Sequence, residues 1–393
     1  MVTRLIFERA VARLPVRVSY PDGRVIGGGA VGSPVFEVVR PAAFFARVGR
    51  DRKIGFGDSY VAGDWRAGTG TDLAELLTVF AERLGTLVPP WLQRLRNLVD
   101  RPIPAELENT VDGSRANIAA HYDLSNELFA SFLDPTMSYS SAWFDPESAV
   151  EAADDLETAQ LRKIDAMLDL AGVGAGTRLL EIGSGWGALA IRAGQRGARV
   201  TSITLSGEQA QLARQRVEAV DLTDLVEIRV QDYREVAGSF DAIVSVEMIE
   251  AVGEAYWPEY FATLDRLLAP GGAVSIQAIT MAHERLLATR RSFGWIQKYI
   301  FPGGLIPSLR AIEDTIQAHT TLRVVQQREL RTHYARTLRL WRERFLDASP
   351  RLREQGFDET FKRMWEFYLA YSEAGFRSGY LGVSQLQLMR TAA

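Results

Sequence analysis

Five short apolar runs, separated by segments with helical spacing, constrain the fold of this chain more than any other feature. They lie at 177–182, 199–205, 226–230, 241–246 and 273–279. Strands that are apolar on both sides are typical of parallel sheets covered by helices on both faces. From residue 116 onward the sequence therefore predicts a doubly wound, mostly parallel α/β domain. In such folds ligands bind beyond the carboxyl ends of the strands.

A glycine-rich loop follows the first of these runs, in the sequence LLEIGSGWGALAIRAG at 179–194. Its three glycines at alternate positions leave the backbone open to a small molecule. The spacing also satisfies the dinucleotide fingerprint, which expects a carboxylate at the end of the second strand. The second run ends in ITLS at 203–206, without a carboxylate. With the preceding Glu181, the loop instead resembles the E-x-G-x-G-x-G loop of S-adenosylmethionine methyltransferases.

The first 115 residues predict a separate, smaller α+β domain. A Pro-Asp-Gly turn lies between two strand-like arms at 16–29, and the segments at 41–50 and 72–87 have helical spacing. The segment at 88–106 joins this domain to the next and alternates apolar residues with arginines. Such a stretch either lies on a membrane or packs on its own protein as a linker helix, and we favour the second alternative.

Charge and composition exclude several kinds of partner and site. The net charge is −4, so no strong positive field points to nucleic acid. Residues 1–115 carry 16 basic and 13 acidic side chains, a net of +3, which leaves −7 for the remainder. The chain has no cysteine, which excludes disulfides, thiolate metal sites and a cysteine nucleophile. No apolar run reaches about 18 residues and no signal-peptide core is recognisable, so we expect a cytoplasmic protein.

Five longer motifs occur in register along the second domain. They are AHYDLSNELFASFLDPTMSYSSAWF at 120–144, LEIGSGWGALA at 180–190, SITLSGEQ at 202–209, VSVEMIEAVG at 244–253 and YSEAGFRSGYL at 371–381. Together they resemble the cyclopropane fatty acid synthase family, which includes the mycolic acid cyclopropane synthases. The segment GFGDSYVAGDW at 55–65 also resembles the N-terminal domain of the phospholipid-acting members. The resemblance implies a class I methyltransferase fold of Rossmann-like topology, with S-adenosylmethionine as the cofactor.

The resemblance assigns eight residues to the cofactor pocket. They are Tyr139, Ser140, Gly183, Gly185, Thr204, Gln209, Asp232 and Tyr233. In this assignment Thr204 and Gln209 bind the ribose in place of the missing acid, and Asp232 and Tyr233 lie near the adenine. From the residues alone, both tyrosines would instead be interpreted as packed core aromatics.

The family places a methyl group on a cis alkene of a lipid acyl chain, and a base then removes a proton from the carbocation. The resemblance makes that base a bicarbonate ion. The residues at the matching catalytic positions are Ser141, Glu250, Gln277, Ile279, Tyr334 and Ser372. Many bacterial members have histidine at the positions of Ala251 and Gln277, and cysteine at those of Ser141 and Ser372. A glutamine amide still donates to an oxyanion, so we expect an anion site to persist.

The predicted substrate is an unsaturated phospholipid, reached by peripheral association with the inner face of the membrane. Loss of a proton from the new methyl group closes a cyclopropane, which is the predicted product. A hydride shift beforehand gives a methylene branch instead, and the alternative product is a 10-methylene or methyl-branched chain. The aromatic and basic segment at 290–310 is either the lipid-facing element or a buried helix. A homodimer is compatible with this interpretation, and neither nucleic acid nor a metal is expected.

Two other functions stay open at the level of the sequence. A nicotinamide-dependent reductase would need the ribose-binding acid that the loop lacks. A lipid-binding protein without activity is suggested by Ala251 and Gln277, and opposed by the presence of Glu250 and Tyr334.

Overall fold

The structure is a computed structural model that describes residues 2–51, 53–87, 104, 107, 109–110, 113–114, 117, 125–145 and 155–390. The chain forms two compact units, neither of which is continuous in sequence. The first unit comprises residues 1–102, 292–300 and 338–380, and the second comprises residues 103–291, 301–337 and 381–393. This division differs from the consecutive domains predicted at 1–115 and 116–393, because helices from late in the chain complete the core of the first unit.

The N-terminal part of the first unit is a small sheet with helices. Its helices span Val2–Val11 (α1), Pro41–Arg50 (α2), Gly55–Val61 (α3) and Leu73–Leu87 (α4). Its strands span Arg17–Ser19 (β1), Val25–Ile26 (β2), Val35–Val38 (β3) and Trp65–Ala67 (β4), in the order β2-β1-β3-β4. The helices predicted at 41–50 and 72–87 are confirmed.

The rest of the described chain alternates helices with longer strands. The helices span Asn126–Phe132 (α5), Leu156–Leu170 (α6), Ala188–Gln195 (α7), Gly207–Glu218 (α8), Ile249–Val252 (α9), Trp257–Leu267 (α10), His283–Thr289 (α11), Trp295–Tyr299 (α12), Leu309–His319 (α13), Arg331–Glu354 (α14) and Glu359–Arg377 (α15). The strands span Arg178–Ile182 (β5), Arg199–Thr204 (β6), Val226–Val230 (β7), Phe240–Val246 (β8), Leu268–Met281 (β9), Leu322–Glu329 (β10) and Leu381–Arg390 (β11).

The seven strands of the second unit form one sheet in the order β10-β11-β9-β8-β5-β6-β7. The five strands from β9 to β7 run parallel, and β11 and β10 extend the sheet in the antiparallel sense. The chain moves outward from β5 to β6 and β7 and then returns to β8 on the other side of β5. This reversal is the switch point at which open α/β sheets bind ligands. The predicted doubly wound, mostly parallel sheet is confirmed.

The central strands of this sheet are buried on both faces, which explains their continuous apolar runs. Leu179 packs with α6, α7 and α8 on one face, and the next residue, Leu180, packs with α10 and α13 on the other. Ala242 and Ile243 of β8 divide between the two faces in the same way. Successive side chains of a strand point to opposite faces, so a strand covered on both sides has no polar alternation.

Aromatic rings form the core of the first unit. Phe36 and Trp65 stack with ring centroids 4.4 Å apart. Phe367 of α15 packs on Tyr60 at 5.4 Å, and Trp295 of α12 packs on Phe367 at 4.9 Å. These contacts are the reason why two segments distant in sequence belong to the first unit. Within the segment predicted to face lipid, Trp295 is therefore buried.

The basic segment predicted at 88–106 lies, apart from Pro104, outside the described residues. Within the described part of the chain, no helix is both long enough and apolar enough to cross a membrane.

Candidate active site

A cavity lies at the carboxyl ends of β5, β6 and β8, at the switch point of the sheet. The glycine loop after β5 lines it, together with residues after β6 and with Glu247 and Met248 after β8. All eight residues predicted to bind the cofactor line this one cavity: Tyr139, Ser140, Gly183, Gly185, Thr204, Gln209, Asp232 and Tyr233. The structure thus brings the predicted set together, while the contact of each with a cofactor stays a prediction.

The glycine loop needs its glycines for two different reasons. Gly183 and Gly185 have φ angles of +96° and +48°, in the left-handed region that favours glycine. A Cβ atom at Gly183 would lie 2.7 Å from the Sδ of Met248, so glycine there lets the loop approach that side chain. A Cβ atom at Gly185 would meet no atom of the described residues within 4 Å. The backbone at Gly185 therefore borders open space.

Polar side chains complete the lining beyond β6 and β7. The hydroxyl of Thr204 donates to Oε1 of Gln209 at 3.0 Å, and both side chains are buried. The buried carboxylate of Asp232 pairs with Arg234, with 2.7 Å between Oδ2 and Nη2. A bare glycine backbone beside hydroxyl, amide and carboxylate groups fits a ligand with a cationic sulfonium, a ribose and an amino-acid end. The residues present therefore fit S-adenosylmethionine.

The two predicted tyrosines of the cavity also pack on other aromatic rings. Tyr139 lies edge-on to Phe129 at 5.2 Å, and Tyr233 lies edge-on to Tyr260 at 5.5 Å. Both tyrosines thus pack on aromatic rings and also line the cavity, while their contact with a cofactor stays a prediction.

A buried lysine beneath the cavity was missed by the sequence analysis. Lys163 of α6 donates to the hydroxyl of Ser140 at 2.7 Å. Burial lowers the pKa of its ammonium group to about 8, although Glu247, Asp134 and Glu181 act in the opposite direction. Helical spacing could have found it, because Lys163 lies four residues from Ala159 and from Met167, which are both buried.

A second cluster is organised around Glu247, which immediately follows β8. Its Oε1 accepts hydrogen bonds from the N–H of Ser141 at 2.9 Å and from Nε2 of Gln277 at 2.8 Å. Its Oε2 accepts from the hydroxyl of Tyr334 at 2.7 Å. Three of the predicted catalytic residues thus donate to one carboxylate, which the sequence analysis did not assign to the site.

The orientation of Gln277 is fixed by the neighbouring strand. Gln385 of β11 donates from Nε2 to Oε1 of Gln277 at 3.1 Å, in register with β9. The amide oxygen of Gln277 is therefore occupied, and its amide nitrogen turns toward Glu247.

Glu250 and Ile279 form a separate contact. The N–H of Ile279 donates to Oε1 of Glu250. The Oε2 of Glu250 is buried and has no hydrogen-bond partner among the described residues. Burial, with a contribution from the negative charge of Glu247, raises the pKa of Glu250 to about 8. Near neutral pH this carboxyl is therefore mainly protonated, and Glu250 does not line the cavity as Glu247 does.

The remaining predicted catalytic residue is not part of this cluster. Ser372 lies on α15 in the first unit and is half-buried. Its assignment stays a prediction. The hydroxyl of Ser141 donates to the carbonyl of Ala142 at 3.0 Å, so Ser141 contributes its backbone N–H to the cluster and not its side chain.

Comparison with known proteins extends these observations. A family model described as mycolic acid cyclopropane synthetase matches residues 110–386. Tuberculostearic acid methyltransferase UfaA1 of Mycobacterium tuberculosis is 53% identical over 391 residues, covering 99% of this chain and 91% of that protein. The cyclopropane-fatty-acyl-phospholipid synthase of Escherichia coli K12 is 35% identical over 355 residues, covering 90% and 87%.

Solved structures agree with this match. The cyclopropane synthase MmaA2 of M. tuberculosis has a TM-score of 0.63 at 32% identity, over 70% of this chain and 97% of that one. Mycolic acid cyclopropane synthase CmaA1, solved with SAH and CTAB, has a TM-score of 0.63 at 30% identity, with the same coverage. The sheet, the cofactor cavity and the extent of these matches lead to one conclusion. The chain belongs to the mycolic acid cyclopropane synthetase family of S-adenosylmethionine-dependent lipid methyltransferases.

Proposed function

We propose that this enzyme methylates the cis double bond of an unsaturated phospholipid acyl chain, and that its product carries a methylene or methyl branch. The main support for the branch is the 53% identity, over nearly the whole chain, to a protein named as a tuberculostearic acid methyltransferase. Tuberculostearic acid is a methyl-branched fatty acid. Support for a phospholipid substrate comes from the name of the Escherichia coli relative.

The protein's part in this reaction is to hold the reactants and to exclude water. S-adenosylmethionine supplies an electrophilic methyl group when it is bound. Gly183 and Gly185 provide the open backbone beside it, and Thr204, Gln209 and Asp232 provide its polar contacts. An alkene is a weak nucleophile, so the rate of methyl transfer depends on holding the alkene close to the methyl donor in a site that excludes water.

A base must take one proton from the methylated chain in either outcome. The family resemblance implies that this base is a bicarbonate ion, bound at the positions of Ser141, Gln277, Tyr334, Glu250 and Ile279. Loss of a proton without rearrangement closes the ring. A preceding hydride shift leaves a methylene branch, and its conversion into a methyl branch needs a further reduction by a hydride donor.

The second candidate product is the cyclopropane ring. The description of the matching family and the name of the Escherichia coli relative both favour it. The two candidates share the methyl transfer and differ only in the fate of the carbocation.

The test supplies the purified full-length chain with S-adenosylmethionine and vesicles of a phospholipid that carries a cis-unsaturated chain. Released fatty acids are then examined by mass spectrometry and proton NMR. A methylene branch gives vinylic protons, whereas a cyclopropane gives ring protons upfield of the other aliphatic signals. Methylation confined to the head group, or no lipid methylation at all, would overturn the proposal.

We also propose that the enzyme works at the inner face of the membrane by peripheral association. Support comes from the net positive charge of residues 1–115 and from the segment at 290–310, in which Tyr299 is 40% exposed. Attraction to an anionic surface should decrease as salt rises. Co-sedimentation with anionic vesicles at low and high salt tests this, and binding that does not respond to salt would contradict it.

A further inference from the structure

We propose that the carboxylate of Glu247 is the proton acceptor of this enzyme, in the position that the resemblance gives to bicarbonate. This inference rests on the proposed function, because it concerns the proton lost after methyl transfer to the alkene. It replaces a dissociable base with one that belongs to the chain.

The first support is the set of donors. Ser141, Gln277 and Tyr334 were predicted to surround a bicarbonate ion. The backbone N–H of Ser141, the amide of Gln277 and the hydroxyl of Tyr334 all donate to Glu247 at 2.7–2.9 Å. A carboxylate and a bicarbonate are both planar oxyanions that present two oxygens to such donors. A second anion cannot use the same three hydrogen bonds while Glu247 occupies them.

The second support is the backbone at Glu247. Its φ angle is +53°, in the left-handed region that a residue with a Cβ atom rarely adopts. Glycine would fit this position without strain. A strained non-glycine residue at a cavity is a reason to look for a function in its side chain. Here the strained conformation directs a carboxylate to the three donors.

The third support is the position of the carboxylate relative to the cofactor cavity. Glu247 lines the same cavity as Gly183, Gly185 and Ser140. The neighbouring acid, Glu250, does not line it. The base therefore borders the cavity that the cofactor would occupy.

The charges and hydrogen bonds around Glu247 and Glu250 assign different roles to these two acids. Burial raises the pKa of Glu247, while its three hydrogen bonds and the positive charge of Lys163 favour its charged form. Glu250 accepts hydrogen bonds from backbone N–H groups, and burial together with the negative charge of Glu247 disfavours its charged form. Two adjacent buried carboxyls do not readily ionise together. Glu247 is accordingly the more readily ionised member of the pair, able to accept a proton, and Glu250 the more readily protonated one.

Transfer of a proton to Glu247 completes the reaction after methyl transfer. After one alkene carbon has gained the methyl group, the other carries the positive charge. A C–H bond of the new methyl group then breaks, and the proton passes to an oxygen of Glu247. The electron pair of the broken C–H bond closes the cyclopropane ring. If a hydride has first moved to the cationic carbon, the same electron pair forms the methylene double bond. Glu247 releases the proton to solvent before the next turnover.

The experiment compares the full-length chain and its variants in buffer freed of carbon dioxide and in the same buffer with added sodium bicarbonate. We expect the wild-type rate to be the same in both. Glu247→Gln keeps the side-chain shape and removes the charge, so we expect a loss of about 100-fold or more, without rescue. Glu247→Gly removes the carboxylate and suits the positive φ angle, so bicarbonate should restore part of its activity.

Binding gives a readout that does not depend on turnover. Calorimetric titration with bicarbonate in the absence of lipid should show saturable binding to Glu247→Gly and none to wild type. Titration with S-adenosylmethionine should give the wild-type affinity in both variants. Glu235→Gln is the matched control, because Glu235 is exposed and lies after β7, and its rate should equal that of wild type.

Three outcomes would each overturn the assignment: a wild-type rate that collapses when bicarbonate is removed, saturable binding of bicarbonate to wild type, or a wild-type rate in Glu247→Gln. The wild-type measurements decide the question even if a variant does not fold. Failure of the proposed function would look different, since no protein would then methylate lipid under any condition. The bicarbonate titrations would still report on Glu247.

Discussion

The hydroxyl of Tyr334 offers a quantitative test of the base. In Tyr334→Phe the carboxylate of Glu247 loses a 2.7 Å hydrogen bond and keeps the other two. A hydrogen bond to a charged group contributes about 1.5–3 kcal/mol. Because 1.36 kcal/mol corresponds to one pKa unit, the variant should raise the pKa of Glu247 by about 1–2 units.

The sign of the effect on rate follows from the role of the base. Burial already raises the pKa of Glu247, while its three hydrogen bonds and Lys163 lower it. Removal of one donor disfavours the charged form, so Glu247 stays protonated to a higher pH. The acid limb of the pH–rate profile should therefore move upward by about 1–2 pH units. Below both midpoints the rate should fall by about tenfold to a hundredfold, whereas the alkaline plateau should change little.

The assay is methyl transfer from labelled S-adenosylmethionine to phospholipid vesicles, measured under single-turnover conditions. The pH runs from about 5 to about 9, because a buried carboxyl can titrate several pH units above its ordinary pKa of about 4.3. Tyr20→Phe is the control, because the Tyr20 hydroxyl donates to Glu8 at 3.3 Å in the first unit. A uniform loss of rate in Tyr334→Phe, with an unmoved midpoint, would refute the reasoning.

Three other variants test separate parts of the structure. Gly185→Val should abolish binding of S-adenosylmethionine in calorimetry, because a branched side chain would enter the open space beside the loop; wild-type affinity would refute the cofactor assignment. The pKa of Glu250, about 8 in the folded state, lies above its ordinary value, so its stabilising contribution is present below about pH 4.5 and is lost as the pH rises toward 8. The melting temperature of wild type should accordingly fall relative to Glu250→Gln across that range, and parallel curves would contradict the shift. Arg342→Met should lower the free energy of unfolding by about 1.5–3 kcal/mol in urea titrations, because the buried Glu373 loses its hydrogen bonds from Arg342 and keeps its ion pair with Arg377; the double variant Arg342→Met/Glu373→Met should recover most of the loss, and a single variant as stable as wild type would exclude this role.

The strands of the second unit were predictable where their buried side chains form a run of apolar residues in the sequence. β5, β6, β8 and β9 were predicted because each packs against helices on both faces, and β7 because Val226 and Ile228 are buried on one face. β10 was not predicted, because it is an edge strand with mostly exposed, polar residues and carries no apolar run. The set of chain segments that make up the first unit could not be predicted either. Phe367 reaches the Phe36–Trp65 cluster from more than 300 residues away in sequence, and periodicity reports only local burial.

The cofactor cavity was predicted more completely than the base. The motifs determine which residues follow the ends of the strands. All eight residues predicted to bind the cofactor line the cavity. Within VSVEMIEAVG, however, the sequence offers two glutamates, and Glu250 was selected by resemblance. Only the positive φ angle at Glu247 turns that side chain to the donors, and a backbone angle of this kind has no signature in a non-glycine residue.

Strand β11 has a consequence for how the enzyme is made. It lies between β9 and β10, and its Gln385 orients Gln277, yet it begins 100 residues after β9 ends, at Leu381 compared with Met281. At about 5–20 residues per second a ribosome needs about 5–20 s to cover that interval. Throughout that time the nascent chain presents β9 as an unpaired edge, a template for pairing with other chains. Crowded synthesis should therefore favour intermolecular capture at β9, and methyl transfer can begin only after β11 has docked.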